Sequence, residues 1–201
     1  MSTAAQCKLL LFDLGGVLMR LRDPATTFGL ALTVDEFNRR WLLCNAVREY
    51  ERGLIDRDVF ASRAAVELAL DYGAEEFLQR FDRWPHSIYP GAVELLHSVA
   101  KRFATAILSN TNAMHWERQD IRDRILPAVD HAFLSYETGF VKPDPAAFEQ
   151  VATRYNYAAE KILFIDDNPL NTAAAARYGM QTATCSGLDS VRAALQSAGV
   201  I

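Results

Sequence analysis

The chain has 201 residues, half of them apolar, with 10% aromatic and 23% charged side chains, an ordinary globular composition that excludes disorder, collagen and coiled coil. Its 21 basic against 25 acidic side chains leave a formal charge of −4, which argues against a general nucleic-acid or anionic-membrane binder. No apolar stretch approaches the ~18 residues of a membrane span, and folding at this length buries roughly 70% of the extended-chain surface, enough for one sizeable unit carrying an insert.

Met1–Lys8 has no charged region followed by a long apolar core, so no signal peptide is expected. Cys7, Cys44 and Cys185 are odd in number and widely spaced, without a CxxC or a nearby His pair. They read as free thiols, neither a disulfide frame nor a zinc site, and a reducing, cytoplasmic setting is the expectation.

In chain order, the first apolar run is Leu9-Leu10-Leu11-Phe12, which stops at Asp13 and has the length of a strand buried on both faces. From about Leu21 to Ile88 no strand-like run appears. Phe37, Trp41 and Cys44, then Phe60, Ala64 and Leu68, recur there at helical spacing, which predicts a helical insert. Its nine Arg against twelve acids do not make a basic arm. Glu51-Arg52-Gly53-Leu54-Ile55-Asp56 reads as a helix–turn–helix junction with Gly53 at the turn. Trp41, Tyr50, Phe60, Phe77, Phe81 and Trp84 read as the insert's core, and Arg22, Arg39, Arg40 and Arg48 chiefly as a solvated face. Pro90-Gly91 then opens a helix with Val93, Leu96, Val99 and Phe103 on one side.

The strand signal repeats at Thr105–Leu108, Ala132–Leu134 and Ile162–Ile165, and more weakly at Gln181–Cys185. Between these runs, Asp144 is an expected N-cap with Pro145 in the first turn, and Asn168-Pro169 opens a helix closing at Gly179. The alternation predicts an α/β fold: a doubly wound, Rossmann-like parallel sheet from 1–20 and 89–201, with a small all-helical unit over 21–88 inserted after the first strand.

In open α/β sheets ligands bind at the carboxyl ends of the strands. The polar residues there are few: Asp13, Ser109-Asn110 and Asp166-Asp167, joined by Lys142, one of four lysines, in the loop Gly139-Phe-Val-Lys-Pro-Asp. Carboxylates gathered this closely repel unless a cation sits among them. Mg²⁺ suits such a set, since it favours oxygen ligands and commonly takes one or two carboxylates with a phosphate oxygen. Ser109 and Lys142 would hold the remaining phosphate oxygens. Each motif alone has a bland reading, as a cap, a turn residue or a solvated charge; it is their coincidence at one sheet edge that points to a site.

Phe12-Asp13-Leu14-Gly15-Gly16-Val17, Leu108-Ser109-Asn110-Thr111, Val141-Lys142-Pro143 and Phe164-Ile165-Asp166-Asp167-Asn168 resemble the four ordered motifs of the haloacid dehalogenase-like (HAD) hydrolases, and the helical insert resembles that superfamily's cap domain in its first insertion position. The combination is most similar to phosphatases of the bacterial glucose-1-phosphate type. The resemblance implies a Mg²⁺-dependent phosphohydrolase of a small organic phosphate, a sugar phosphate above all. Asp13 would be the nucleophile that forms an aspartyl-phosphate, Lys142 a second catalytic residue, and Ser109, Asn110 and Lys142 the phosphate grip. Asp13, Asp166, Asp167 and the backbone carbonyl of Gly15 would form the metal site. It implies a monomer or homodimer acting on a phosphorylated small molecule, without nucleic acid or membrane.

One position departs from the pattern. Phosphatases of this family mostly carry an acid/base Asp two residues after the nucleophile, where this chain has Gly15. A glycine keeps the carbonyl but not the proton donor, and general acid–base assistance is worth ~10²–10⁴-fold. Turnover is therefore expected to survive best on leaving groups of low pKa. His115, near the same edge, is a candidate substrate donor or replacement acid; its bland alternative is a partly exposed helix residue. Two further functions follow: a non-catalytic or weakened phospho-ligand binder, and a metal-independent 2-haloacid dehalogenase.

Overall fold

The computed structural model describes residues 7–201; the start of the Met1–Lys8 segment lies outside them. The elements run β1 (Leu9–Phe12), β2 (Met19–Leu21), α1 (Pro24–Phe28), α2 (Val34–Leu43), α3 (Asn45–Glu51), α4 (Arg57–Glu67), α5 (Ala74–Arg83), β3 (Pro85–Ile88) and α6 (Ala92–Val99). They continue β4 (Ala104–Ser109), α7 (Ala113–Trp116), α8 (Gln119–Ile125), β5 (His131–Leu134), α9 (Ser135–Thr138), α10 (Pro145–Tyr155), β6 (Ile162–Asp166), α11 (Pro169–Tyr178), β7 (Gln181–Thr184) and α12 (Leu188–Ser197).

Five strands form one sheet in the order β5-β4-β1-β6-β7, parallel at every pairing. Burial explains the continuous apolar runs. In β1, Leu10 and Phe12 enter one core cluster while Leu9 and Leu11 enter another on the opposite face. The same division separates Ile107 from Ala106 and Leu108, and Leu163 and Ile165 from Ile162 and Phe164. A strand with helices over both faces has no wet side, so it shows no alternation. The chain fills one side of β1 with β4 and β5, then crosses to β6 and β7, so the topological switch falls at the carboxyl end of β1.

The helix punctuation holds at most ends. Asn168 caps α11 through its side chain, which accepts from the Leu170 N–H at 2.9 Å, and Gly179 closes that helix in the left-handed conformation. Asp144 does not behave as expected: it precedes α10 at the N-cap position, but its carboxylate makes no capping hydrogen bond and is drawn instead to arginines of the insert. An ion pair with two guanidiniums outcompetes a single backbone N–H.

Helices α1–α5 build their own core around Phe28, Phe37, Trp41, Tyr50, Phe60, Phe77 and Phe81. Tyr50 and Phe60 stack at 4.2 Å between ring centroids, and Thr33 with Glu36 forms a full capping box at the start of α2. The expectation that no strand lies between Leu21 and Ile88 is corrected. β2 and β3 pair antiparallel, Met19 with Ile88 and Arg20 with Ser87, with a register shift at Leu21. Three- and four-residue strands, one beginning with Pro85, carry too little sequence to show period-two patterning, and their partners lie far apart in the chain.

Candidate active site

Register does the first part of the work. Phe12 pairs with Ile165 and with Ile107, so Asp13, Ser109 and Asp166 leave their strands at the same edge. There, carboxylate oxygens of Asp13, Asp166 and Asp167 lie within 4.8 Å of one another. Gly16 makes the close approach possible: its φ is +71°, and a Cβ there would sit 2.1 Å from an Asp167 oxygen. Only glycine fits.

Lys142 is almost fully buried and reaches both neighbours, at 2.9 Å from Asp13 Oδ1 and 2.6 Å from Asp166 Oδ2. Burial works against its ammonium, but Asp13 and Asp166 outweigh it and hold Lys142 charged, above the ordinary lysine range. Asp13 is lifted to about 6, by burial first and against the pull of Lys142. Asp167 is lifted to about 7, by burial and then by the charges of Asp13 and Asp166. Three carboxylates thus share one ammonium. The set is anionic, oxygen-rich and under-compensated, and it fits a hard divalent cation such as Mg²⁺.

The three acids are not equivalent. Asp166 is the most engaged: its oxygens accept from Lys142 Nζ, from the Asn168 N–H at 2.8 Å, and from Asn171 Nδ2 at 3.0 and 3.1 Å. Asp167 makes no side-chain hydrogen bond among the described residues, leaving its carboxylate open to the cleft. That cleft has a volume of about 140 Å³ and is lined by Asp13, Gly15, Ser109, Asn110, His115, Asp167 and Asn171 from the sheet side, with Trp41 and Glu51 from the insert. A wider groove of about 1210 Å³ between β2, α1 and α5 holds arginines and glutamates but none of these acids.

Two expected ligand contacts are taken up otherwise. The Asn110 side chain is clamped to the backbone of Lys142, donating to its carbonyl at 2.9 Å and accepting from its N–H at 2.8 Å. It braces the lysine loop, while Asn110 itself still lines the cleft. His115 is buried, not the partly exposed residue of the bland reading. Its Nε2 meets the Phe81 carbonyl at 2.9 Å and its Nδ1 meets Asn112 Nδ2 at 3.2 Å, which leaves no ring N–H for a substrate. Burial, only partly opposed by the Phe81 carbonyl, pushes His115 down to about 4. It is neutral, and it ties the loop after β4 to the end of α5.

Gly15 lines the cleft, and a Cβ there would meet Leu21 Cδ1 at 3.2 Å. The space beside that glycine is filled by the first residue of the insert. Residues that the sequence did not single out as functional also stand here. Asn171 orients Asp166 from the first turn of α11, a place legible from the Asn168-Pro169 helix start. Glu51 and Trp41 arrive only through the docking of the insert. That docking rests on Arg48 and Arg52, both paired with Asp144, and on Gly53, whose φ of +71° and close approach to the Tyr136 carbonyl leave no room for a Cβ.

Comparison with known proteins bears on this geometry. A D-ribitol-5-phosphate phosphatase of Bacteroides thetaiotaomicron is 24% identical over 189 residues, 87% of this chain and 90% of that protein. The crystal structure of HAD family enzyme bt-2542 from the same organism, in complex with magnesium and inorganic phosphate, superposes with a TM-score of 0.69 at 24% identity, covering 89% of this chain and 93% of the other. A HAD-like family hydrolase from Porphyromonas gingivalis gives a TM-score of 0.73 at 21% identity over 95% and 97% of the two chains. At these identities the structural likeness is one of fold. The family of haloacid dehalogenase-like hydrolases itself matches residues 7–179, from before β1 to the end of α11 and so across every strand end that supplies the acid cluster. The chain belongs to the haloacid dehalogenase-like hydrolases.

Proposed function

We propose that the protein hydrolyses a small phosphate monoester, of the sugar- or polyol-phosphate type, through a phosphorylated Asp13. It is a phosphatase of the haloacid dehalogenase-like family, and the relatives that act on a sugar alcohol phosphate or were crystallised with magnesium and phosphate support this substrate class and Mg²⁺ as cofactor. The observation that carries the reading is the Asp13 carboxylate, at the switch point of the sheet, bonded to a buried ammonium and flanked by two further acids.

Asp13 attacks phosphorus with one carboxylate oxygen while the other keeps the Lys142 contact. Lys142 offsets charge on the phosphoryl oxygens and is itself aimed by Asn110 and Asp166. Ser109, nearly buried at the end of β4 and without a side-chain partner among the described residues, donates its hydroxyl to the same group. Asp167 and Asp13, with the Gly15 carbonyl, would hold Mg²⁺, and Asp166 supports the set from behind. When bound, the ion would neutralise charge between carboxylate and phosphate dianion. The helical segment 21–88 acts as a cap over the cleft. At about 140 Å³, below the usual range of ligand pockets, the cleft admits a phosphoryl group with a short carbon chain.

Phosphate release measured across sugar, polyol and nucleotide phosphates, with Asp13→Asn as the blank, tests the reading. Turnover on sugar or polyol phosphates that vanishes in Asp13→Asn and in EDTA is expected. Phosphate release that persists in the chelator would overturn the metal dependence, and halide released from a 2-haloacid in EDTA, with no phosphate released from any ester, would overturn the phosphatase in favour of halide displacement.

A further inference from the structure

Gly15 leaves the reaction without its usual proton donor, and most of the other groups in the cleft are committed elsewhere. His115 has both ring nitrogens engaged. Asp167 belongs to the metal set. Lys142 is fixed between two carboxylates and held charged. Glu51 is left, and it is the one titratable group that the insert itself brings to the cleft wall.

We propose that Glu51, at the last turn of α3, is the general acid and base of this enzyme, delivered from the insert to do what a side chain at position 15 cannot. This rests on the phosphatase reading above. Glu51 is buried, at 8% exposure. Trp41 Nε1 donates to its Oε1 at 3.3 Å, which fixes the carboxyl plane, and its Oε2 takes no hydrogen bond among the described residues. A buried acid with one oxygen oriented and the other open is costly to the fold and suited to proton transfer. Burial, offset only in part by the Trp41 N–H, Lys142 and Arg48, lifts Glu51 to about 7.

The steps balance. As Asp13 bonds to phosphorus and the ester P–O bond breaks, the leaving oxygen takes the proton of the Glu51 carboxyl and departs as an alcohol. Water then attacks phosphorus and gives a proton to the Glu51 carboxylate. The Asp13–phosphorus bond breaks, phosphate leaves, and both side chains return to their starting states.

The arrangement also explains the insert's docking. Arg48 precedes Glu51 by one helical turn and Arg52 follows it, and both hold Asp144 of the sheet domain. Gly53 then lets the chain pass against the Tyr136 carbonyl. Glu51 sits between these fastenings, so its distance to the nucleophile is set by them.

Glu51→Gln keeps the acceptor for Trp41 and removes only the proton chemistry. With Mg²⁺ present, wild type and variant are compared on an alkyl phosphate and on 4-nitrophenyl phosphate. The variant is expected to lose about 10²–10⁴-fold in kcat/KM on the alkyl ester and far less on the aryl ester, whose leaving group needs no proton. On the aryl ester it should release nitrophenolate in a burst approaching one per enzyme and then slow, because hydrolysis of the phosphorylated Asp13 still needs a base. Trp41→Phe, which leaves the carboxyl but not its orientation, should show the same leaving-group dependence more weakly. Equal activity of wild type and Glu51→Gln, or an equal loss on both esters without a burst, overturns the role of Glu51 and leaves the phosphatase reading standing. A wild-type protein that cleaves no ester overturns both.

Discussion

The sheet edge and the helical insert reach the same cleft by different routes. At the sheet edge every site residue is the next residue after an apolar run, or lies in a short loop braced to one. Asp13, Ser109, Asp166 and Asp167 are brought together by backbone register, which parallel pairing fixes over the whole sheet. The insert has no such scaffold. Its aromatic core holds α1–α5 together, and Glu51 reaches the cleft only because the outside of α3 is fastened to the lysine loop. Chemistry that needs fixed charges close together is built on the rigid frame.

The largest expected effect tests the frame. Lys142→Met leaves Asp13 and Asp166 buried without their cation, and removing one partner of a buried pair costs roughly 3–5 kcal/mol. Urea unfolding in magnesium-free buffer should show that loss; a loss below 1 kcal/mol would mean the cluster is better solvated than its burial indicates. Gly53→Ala tests the dock. Its positive φ and the closeness of Tyr136 O predict a cost of about 1–3 kcal/mol, together with a fall in kcat on alkyl phosphates as Glu51 is displaced. An unchanged leaving-group dependence would separate docking from catalysis.

His115 joins the two regions, and its pH behaviour sharpens the comparison. Its folded-state value of about 4 lies below the ordinary 6.5, so the unfolded chain takes up the proton first. The histidine's contribution is full above about pH 6.5 and is lost as pH falls toward 4, by up to about 3 kcal/mol. Glu51, raised to about 7, acts with the opposite sign: its contribution is full below about 4.5 and lost as pH rises through 7. Stability of wild type minus that of His115→Gln, followed by denaturant midpoints, isolates the first and should shrink toward acid; a flat difference would show that His115 is not buried neutral. Asp144→Asn is the smallest effect. The pairs with Arg48 and Arg52 are about one-third exposed, so stability should fall by no more than about 1 kcal/mol, with the loss fading at high salt.

Much of the frame was legible in the residues. Continuous runs such as Leu9–Phe12 and Ile162–Ile165 announce strands buried on both faces, and the polar residue that stops each run marks the sheet edge. The pair β2–β3 was not legible, because strands of three and four residues carry no periodicity. The contacts of Asn110, His115 and Asp144 were not legible for a shared reason: each spends side-chain atoms on a partner distant in sequence, Lys142, Phe81 and the Arg48–Arg52 pair respectively.

By itself, then, the sequence determined the strands, their order of use at the carboxyl edge, and the acid-and-lysine set, because burial pattern and motif spacing are local properties of the chain. Only the tertiary structure decided which of those acids is most engaged by hydrogen bonds, and that a glutamate from the insert lines the same cleft as Asp13. Hydrogen-bond saturation and docking depend on which surfaces meet, and no local pattern records that.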